Sequence, residues 1–200
     1  MKRLSLLLVF TQLISVAQAT IYIDEGDYYP SYLQVFHNTL IMTGGTIEEN
    51  LYLKENSLGE IYGGYIGNFL VLDDTSKATM YGGHVVSGIS SPEDGQFSWY
   101  GGTIVGEIRS GWLNSPSCFS YHKIYGYDFK IDGEVVTDFI LTYQGFQRHL
   151  TGFLQDGTDI DNDLVIYGGS KIELVVIPEP ATLLLLGLGV PILSGLRRKR

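Results

Sequence analysis

Apolar residues recur along this chain in three columns with a period of 19: Met42, Ile61, Met80 and Trp99; Ile47, Ile66, Val85 and Ile104; Leu51, Leu70, Ile89 and Ile108. Between the first and second column of each unit stands a Gly-Gly pair beginning at Gly44, Gly63, Gly82 or Gly101, and the register holds without a gap. Columns at a fixed period mark stacked structural repeats. The segments between the glycines, such as Leu51-Tyr52-Leu53, Phe69-Leu70-Val71-Leu72 and Val85-Val86, carry β-branched and aromatic residues. They show no helical stripe, so strands are predicted. If each 19-residue unit is one coil of a β-solenoid, equivalent residues lie about 4.8 Å apart and the three columns become inward-facing ladders. The glycine pairs then mark corners where positive φ or close backbone approach excludes a Cβ. An antiparallel meander with hairpins at the same period is the competing arrangement.

Tyr62, Tyr81 and Tyr100 stand directly before the glycines in one column. In register their rings stack along the solenoid, either as a structural ladder or as a carbohydrate-binding strip. After Gly102 the spacing loosens. Ile124-Tyr125-Gly126-Tyr127 comes 25 residues after the Gly101 copy and Ile166-Tyr167-Gly168-Gly169 a further 42, which fits one coil plus six residues and then two coils plus four, with the insertions in loops. Asp132-Gly133, Gly152 and Asp156-Gly157 read as hairpin turns, so the segment 118–176 is expected to be a less regular β cap on the solenoid of 20–117.

The two ends are of another kind. Lys2 and Arg3, the apolar stretch Leu4–Val16 and the small-residue ending Ala17-Gln18-Ala19 have the layout of a signal peptide over 1–19, with cleavage expected before Thr20. Residues 181–196 form an uncharged apolar run containing Leu183-Leu184-Leu185-Leu186 and ending at Arg197-Arg198-Lys199-Arg200. At about 1.5 Å per residue the run reaches about 24 Å, so with a snorkelling basic end it predicts one transmembrane helix with the cluster cytoplasmic.

Between these ends, 21 acidic and 7 basic side chains leave a net charge near −14. Such a surface repels phosphate backbones, which excludes nucleic acid as a partner. Cys118 is the only cysteine, so no intrachain disulfide can form and a buried apolar role is expected. Asp156, Asp159, Asp161 and Asp163 could offer oxygen ligands to Ca²⁺ from a loop, yet an EF-hand would need Gly at Leu164 and Glu at Ser170. A solvated turn explains them equally. His37, His84, His122 and His149 lack zinc-site spacing and read as β-surface residues. No nucleophile elbow, phosphate loop or Cys-x-x-Cys occurs, so no catalytic, cofactor-binding or metal-ligating residue is assigned.

Pro178 and Pro180 fix their own φ and push Ile177 and Glu179 out of the α region, which holds the tripeptide extended for a processing enzyme. Ile177-Pro178-Glu179-Pro180-Ala181-Thr182, the Leu/Gly-rich run and the Arg-rich terminus together resemble the PEP-CTERM family of exported bacterial proteins, whose C-terminal region is also labelled the ice-binding protein C-terminal domain. The resemblance covers 177–200. It implies recognition of Pro178, Glu179 and Pro180 by an exosortase, a membrane-embedded protease-transpeptidase. It also implies an inner-membrane-anchored precursor destined for the envelope or extracellular matrix of a Gram-negative bacterium. The resulting expectation is a sorted, non-enzymatic, structural or adhesive β-solenoid. A polysaccharide- or calcium-binding module is the alternative, and an ice-binding protein or polysaccharide-degrading enzyme is less favoured. Against ice binding, the column after the glycines reads Thr46, Tyr65, His84, Thr103 rather than repeated small hydroxyl residues.

Overall fold

The computed structural model describes residues 18–113, 117–142 and 147–179, among which there are strands and turns but no helix. The first coil holds β1 (Thr20–Ile23), β2 (Tyr28–Tyr29) and β3 (Leu33–Phe36), and the second β4 (Thr39–Met42), β5 (Thr46–Ile47) and β6 (Leu51–Lys54). The third holds β7 (Leu58–Ile61), β8 (Tyr65–Ile66) and β9 (Phe69–Leu72), and the fourth β10 (Lys77–Met80), β11 (His84–Val85) and β12 (Gly88–Ser91). The fifth holds β13 (Gln96–Trp99), β14 (Thr103–Ile104) and β15 (Glu107–Ser110). Equivalent strands pair in parallel, so the molecule is a β-solenoid of about five turns with three faces and not a meander. Each predicted column is a single line of register: Met42–Ile61–Met80–Trp99 on the first face, Ile47–Ile66–Val85–Ile104 on the second, Leu51–Leu70–Ile89–Ile108 on the third. All twelve side chains are buried.

The two glycines of each corner have different jobs. Gly45, Gly64, Gly83 and Gly102, the second of each pair, have φ of +71°, +94°, +90° and +82°, a region that costs other residues strain. The first glycine instead faces the coil before it. A Cβ on Gly63 would stand 2.6 Å from the carbonyl oxygen of Thr43, and one on Gly101 2.6 Å from that of Tyr81. The corner between the third and first faces is polar. There Glu55 and Asp74 have positive φ, and each amide is satisfied by a carboxylate one coil along: Glu55 N–H donates to Asp74 at 3.0 Å and Asp74 N–H to Glu93 at 2.9 Å.

The two ends of the stack differ. Among the described residues the outer edges of β1, β2 and β3 have no partner strand, and that coil carries Asp24, Glu25, Asp27 and Pro30, residues that blunt an open edge. The other end is closed by β16 (Tyr121–Ile131), β17 (Glu134–Val135), β18 (Ile140–Thr142), β19 (Arg148–Leu154), β20 (Asp159–Ile166) and β21 (Lys171–Val176). β16 stacks on β13 with Ile124 on Trp99, as the 25-residue spacing predicts. It then bulges at Asp128 and runs antiparallel to β19, β19 pairs antiparallel with β20, and β20 rejoins the third face beside β15. This hairpin sews two faces together over the end of the core and buries Phe129, Ile131, Leu150, Leu154 and Ile160. Asp132-Gly133 makes the expected two-residue turn, both residues at positive φ, and Asp156-Gly157 turns β19 into β20.

Several expectations fail here. Ile166-Tyr167-Gly168-Gly169 is not the next glycine corner: Ile166 pairs with Ser110 on the third face, and the residue stacked on Ile124 is Leu174 of β21. The register of β20 follows from Leu164 under Ile108 and from buried Asn162, whose amide donates to the carbonyls of Ile104 at 2.8 Å and Gly106 at 2.7 Å. Gly152 is no turn but lies inside β19, opposite the bulge. His122 is not on the surface. It occupies the inward column between Phe97 and Ile172, wholly buried, with Nε2 2.9 Å from Ser91 Oγ. Cys118 is buried as expected, its thiol 2.9 Å from the Pro92 carbonyl oxygen. The expected signal peptide, except its last two residues, and the expected membrane helix of 181–196 lie outside the described residues. Among those described, no helix is long and apolar enough to cross a membrane.

Two predictions follow from this packing. Gly82→Ala puts a Cβ against the Tyr62 carbonyl oxygen, and chemical denaturation should show a loss of about 2–4 kcal/mol, the range of overpacking and backbone strain combined. Desolvation lowers the His122 pKa from 6.5 to about 3, so the folded protein keeps the ring neutral while the unfolded chain protonates it below 6.5. Stability contributed by neutral His122 is therefore full above pH 6.5 and declines as pH falls towards 3, by at most about 5 kcal/mol. Comparing the pH dependence of unfolding with that of His122→Leu should show a shallower decline in the variant over this window.

Candidate functional site

The tyrosine column forms as expected and is one rung longer. Tyr62 and Tyr81 stack with ring centroids 4.9 Å apart and planes within 10°, Tyr81 and Tyr100 at 5.2 Å, and Tyr100 and Tyr125 at 4.0 Å. A hydrogen bond to Tyr125, reinforced by burial, pushes the Tyr100 hydroxyl up to about 12. Tyr81 and Tyr100 are covered by a neighbouring ring on both faces, and Tyr62 and Tyr125, at the two ends, on one. Packing of a sugar ring on an aromatic face needs that face free, so the stack has the form of a structural ladder.

The other candidate, the tail signal, begins where the body's last strand stops. In β21, Ile172 and Leu174 point inward and pack in the core, and β16 and β18 flank the strand on either side. The final backbone bond of this pairing runs from the Ile177 N–H to the Gly126 carbonyl oxygen, at 2.8 Å. Pro178 has no N–H with which to continue the ladder. Pro178 and Glu179 follow at once, exposed and outside any strand. Residues 176–200 match the family model of the PEP-CTERM protein-sorting motif. The chain carries this motif. Comparison with curated proteins and with solved structures finds no match.

The PEP-CTERM motif implies an exported protein of a Gram-negative bacterium, handled by an exosortase, which is membrane-associated. Of the expected recognition residues, Pro178 and Glu179 are placed at the surface of the last coil, whereas Pro180 lies outside the described residues. Motif and body adjoin: β21 ends at Val176 and the first proline is Pro178. The signal was present in the alternation of Lys171-Ile172-Glu173-Leu174, a half-buried strand running almost into the first proline. Around this strand Tyr121 donates a hydrogen bond to Glu173, which raises the Tyr121 hydroxyl to about 12, and Lys123 stands 3.5 Å from the same carboxylate.

The acidic segment is arranged differently from the expected loop. Only the residues around Asp156 turn, and Asp156 accepts the Gly102 N–H at 3.0 Å. Asp159, Asp161 and Asp163 lie on β20, at alternate positions on its outward face. Alternate residues of a strand are about 6.6 Å apart, and these carboxylates do not curl round a common centre as a Ca²⁺ loop does. No group of three or more metal-ligating side chains converges among the described residues. Instead His149 of β19 bridges two of the carboxylates, Nε2 2.9 Å from Asp161 and Nδ1 3.0 Å from Asp163. The hydrogen bond to Asp163 is the largest cause holding the His149 pKa above its ordinary value. An NMR titration should place its midpoint above 6.5, and Asp163→Asn should move it down. The small stability this exposed cluster contributes is full below the ordinary histidine value and is lost as pH rises through the raised one.

Proposed function

We propose that this protein is an exported, non-enzymatic β-solenoid, sorted by an exosortase through Pro178-Glu179-Pro180 to the envelope or extracellular matrix, where it acts as a structural or adhesive element. The apolar run of 181–196 serves as a temporary transmembrane anchor with its basic end cytoplasmic. The observation that carries the reading is the junction itself: a closed β stack ends at the Ile177–Gly126 hydrogen bond, and the recognition residues begin at the next position. A rigid body held by a processable tail suits display better than turnover. Among the described residues Ser91 and His122 make a contact that resembles a nucleophile and its base, but both are wholly buried and closed to substrate.

Mass spectrometry of the mature C-terminus tests the sorting. The wild type should lose the residues beyond the triplet, and the combined Pro178→Ala, Glu179→Ala and Pro180→Ala variant should keep its basic end. Recovery of the complete tail from both proteins would sink the proposal.

A further inference from the structure

Tyr62, Tyr81, Tyr100 and Tyr125 hold successive ring centroids 4.0 to 5.2 Å apart, with adjacent planes within 17°. A ring that loses an electron becomes cationic, and the face of the next ring stabilises that charge as it would any cation. The stack is therefore easier to oxidise by one electron than a lone phenol. At Tyr62 a proton acceptor is added, because its hydroxyl donates to Glu60 at 3.1 Å. This bond is the largest cause raising the Tyr62 hydroxyl above its ordinary value, so the intact ring keeps its proton. An oxidised phenol is a strong acid, and the carboxylate already lies within the reach that general-base transfer requires. Tyr62 is also an end rung with one face free and is 49% exposed, whereas Tyr125 at the other end is only half-buried. Tyr22 and Tyr28 are more exposed, at 59% and 60%, but neither stacks on a ring or meets a carboxylate among the described residues.

We propose that Tyr62 is a site of oxidative cross-linking, where a haem peroxidase acting with hydrogen peroxide joins it to Tyr62 of a second copy of this chain. In each copy the peroxidase removes one electron from the ladder and the phenolic proton passes to Glu60, leaving a phenoxyl radical on Tyr62. Two such radicals form one carbon–carbon bond between positions ortho to their hydroxyls, and each ortho hydrogen then returns to its own oxygen. The two electrons and two protons given up reduce one hydrogen peroxide to two waters. Rungs of one ladder do not join each other, since rings held face to face cannot take the edge-to-edge geometry of a biaryl bond. The radical moves along the stack until the exposed edge of Tyr62 meets another molecule. Cys118, the only cysteine, is buried, so phenol coupling is the covalent join left to these surfaces in the oxidising setting an exported chain enters. The chemistry rests on the ladder and Glu60, and only its setting rests on export.

The test treats the full chain, in mild detergent, with a haem peroxidase and hydrogen peroxide, then measures covalent dimer on denaturing gels, dityrosine fluorescence and the cross-linked peptides by mass spectrometry. Peptides joined through Tyr62 should predominate over those joined through Tyr22 or Tyr28. Tyr62→Phe keeps the stack without the hydroxyl and should cut the dimer at least threefold, whereas Tyr22→Phe combined with Tyr28→Phe should leave most of it. Glu60→Gln removes the acceptor with the stack intact, and Tyr81→Leu interrupts the stack with Tyr62 and Glu60 in place. Each should slow coupling at Tyr62 at least twofold with an unchanged circular dichroism spectrum. Cross-links that follow exposure, at Tyr22 and Tyr28 rather than Tyr62, overturn the proposal. So does an undiminished dimer from Tyr62→Phe, or no covalent dimer from the wild type. None of these outcomes touches the mass of the mature C-terminus, so sorting stands or falls separately.

Discussion

Every layer of this molecule is held to the next by a backbone that must approach to about 4.8 Å at all three faces, and the corner glycines set how closely it can do so. Parallel strands hydrogen-bond in register only if the turn between them is no wider than the spacing of the strands. At Gly63 and Gly101 the space a methyl group would need is already taken by a carbonyl of the coil before. At Gly64 and Gly102 the chain turns in a region of φ that a side chain resists. One position is therefore glycine for room and its neighbour for conformation and room alike, since a Cβ on Gly64 would also meet the Gly44 carbonyl, which is why the glycines come as a pair. The aromatic ladder depends on the same spacing, because Tyr62, Tyr81 and Tyr100 stack only when the turns beneath them repeat at that height.

The interior changes character along the stack. In the first coils the strands bury Ile, Leu, Met and Val, with the polar Ser57 and Ser76 buried only at the corner before the first face, but from the fourth coil onward polar side chains also enter the inward strand columns: Ser91 and Ser110 on the third face, His122 on the first. They pair with one another, His122 Nε2 with Ser91 Oγ and Ser110 Oγ with Ser120 Oγ at 2.7 Å, while His122 Nδ1 is buried without a hydrogen-bond partner among the described residues. Buried polar groups paired in this way cost little while the fold is intact and a great deal when one partner is lost. They fall in the layers where the 19-residue period gives way to the cap, so that part of the core is specified by matched partners rather than by fit alone.

Where the period was strict, the fold was legible in the sequence. Twelve apolar residues in three columns translated directly into three lines of register, and the copy at Ile124 was found at its displaced position because the local pattern of apolar residue, tyrosine and glycine survived the insertion. Legibility ended where long-range pairing overrode local resemblance. Ile166-Tyr167-Gly168-Gly169 has the local form of a corner, but its strand arrives from a hairpin and takes its place from Leu164 and Asn162. His122 was misread because a lone histidine between lysine and tyrosine gives no sign of a buried partner 31 residues away. The carboxylates of 159–163 were read as loop because their charge masked the alternation with Ile160, Asn162 and Leu164 that marks a strand. Of the tail signal the motif itself was legible, but its junction with the body depends on a hydrogen bond to Gly126, which only the fold brings near.

The parallel stacking of near-identical coils gives the molecule a direction in which it can be extended. Inserting one more copy of the repeating unit between existing copies would leave each interface as it is now and raise the height by a single strand spacing. A point change at a corner disturbs two interfaces, whereas a whole-unit duplication disturbs none. Among descendants of such a chain, stature is thus the trait freest to vary, and it varies in whole steps.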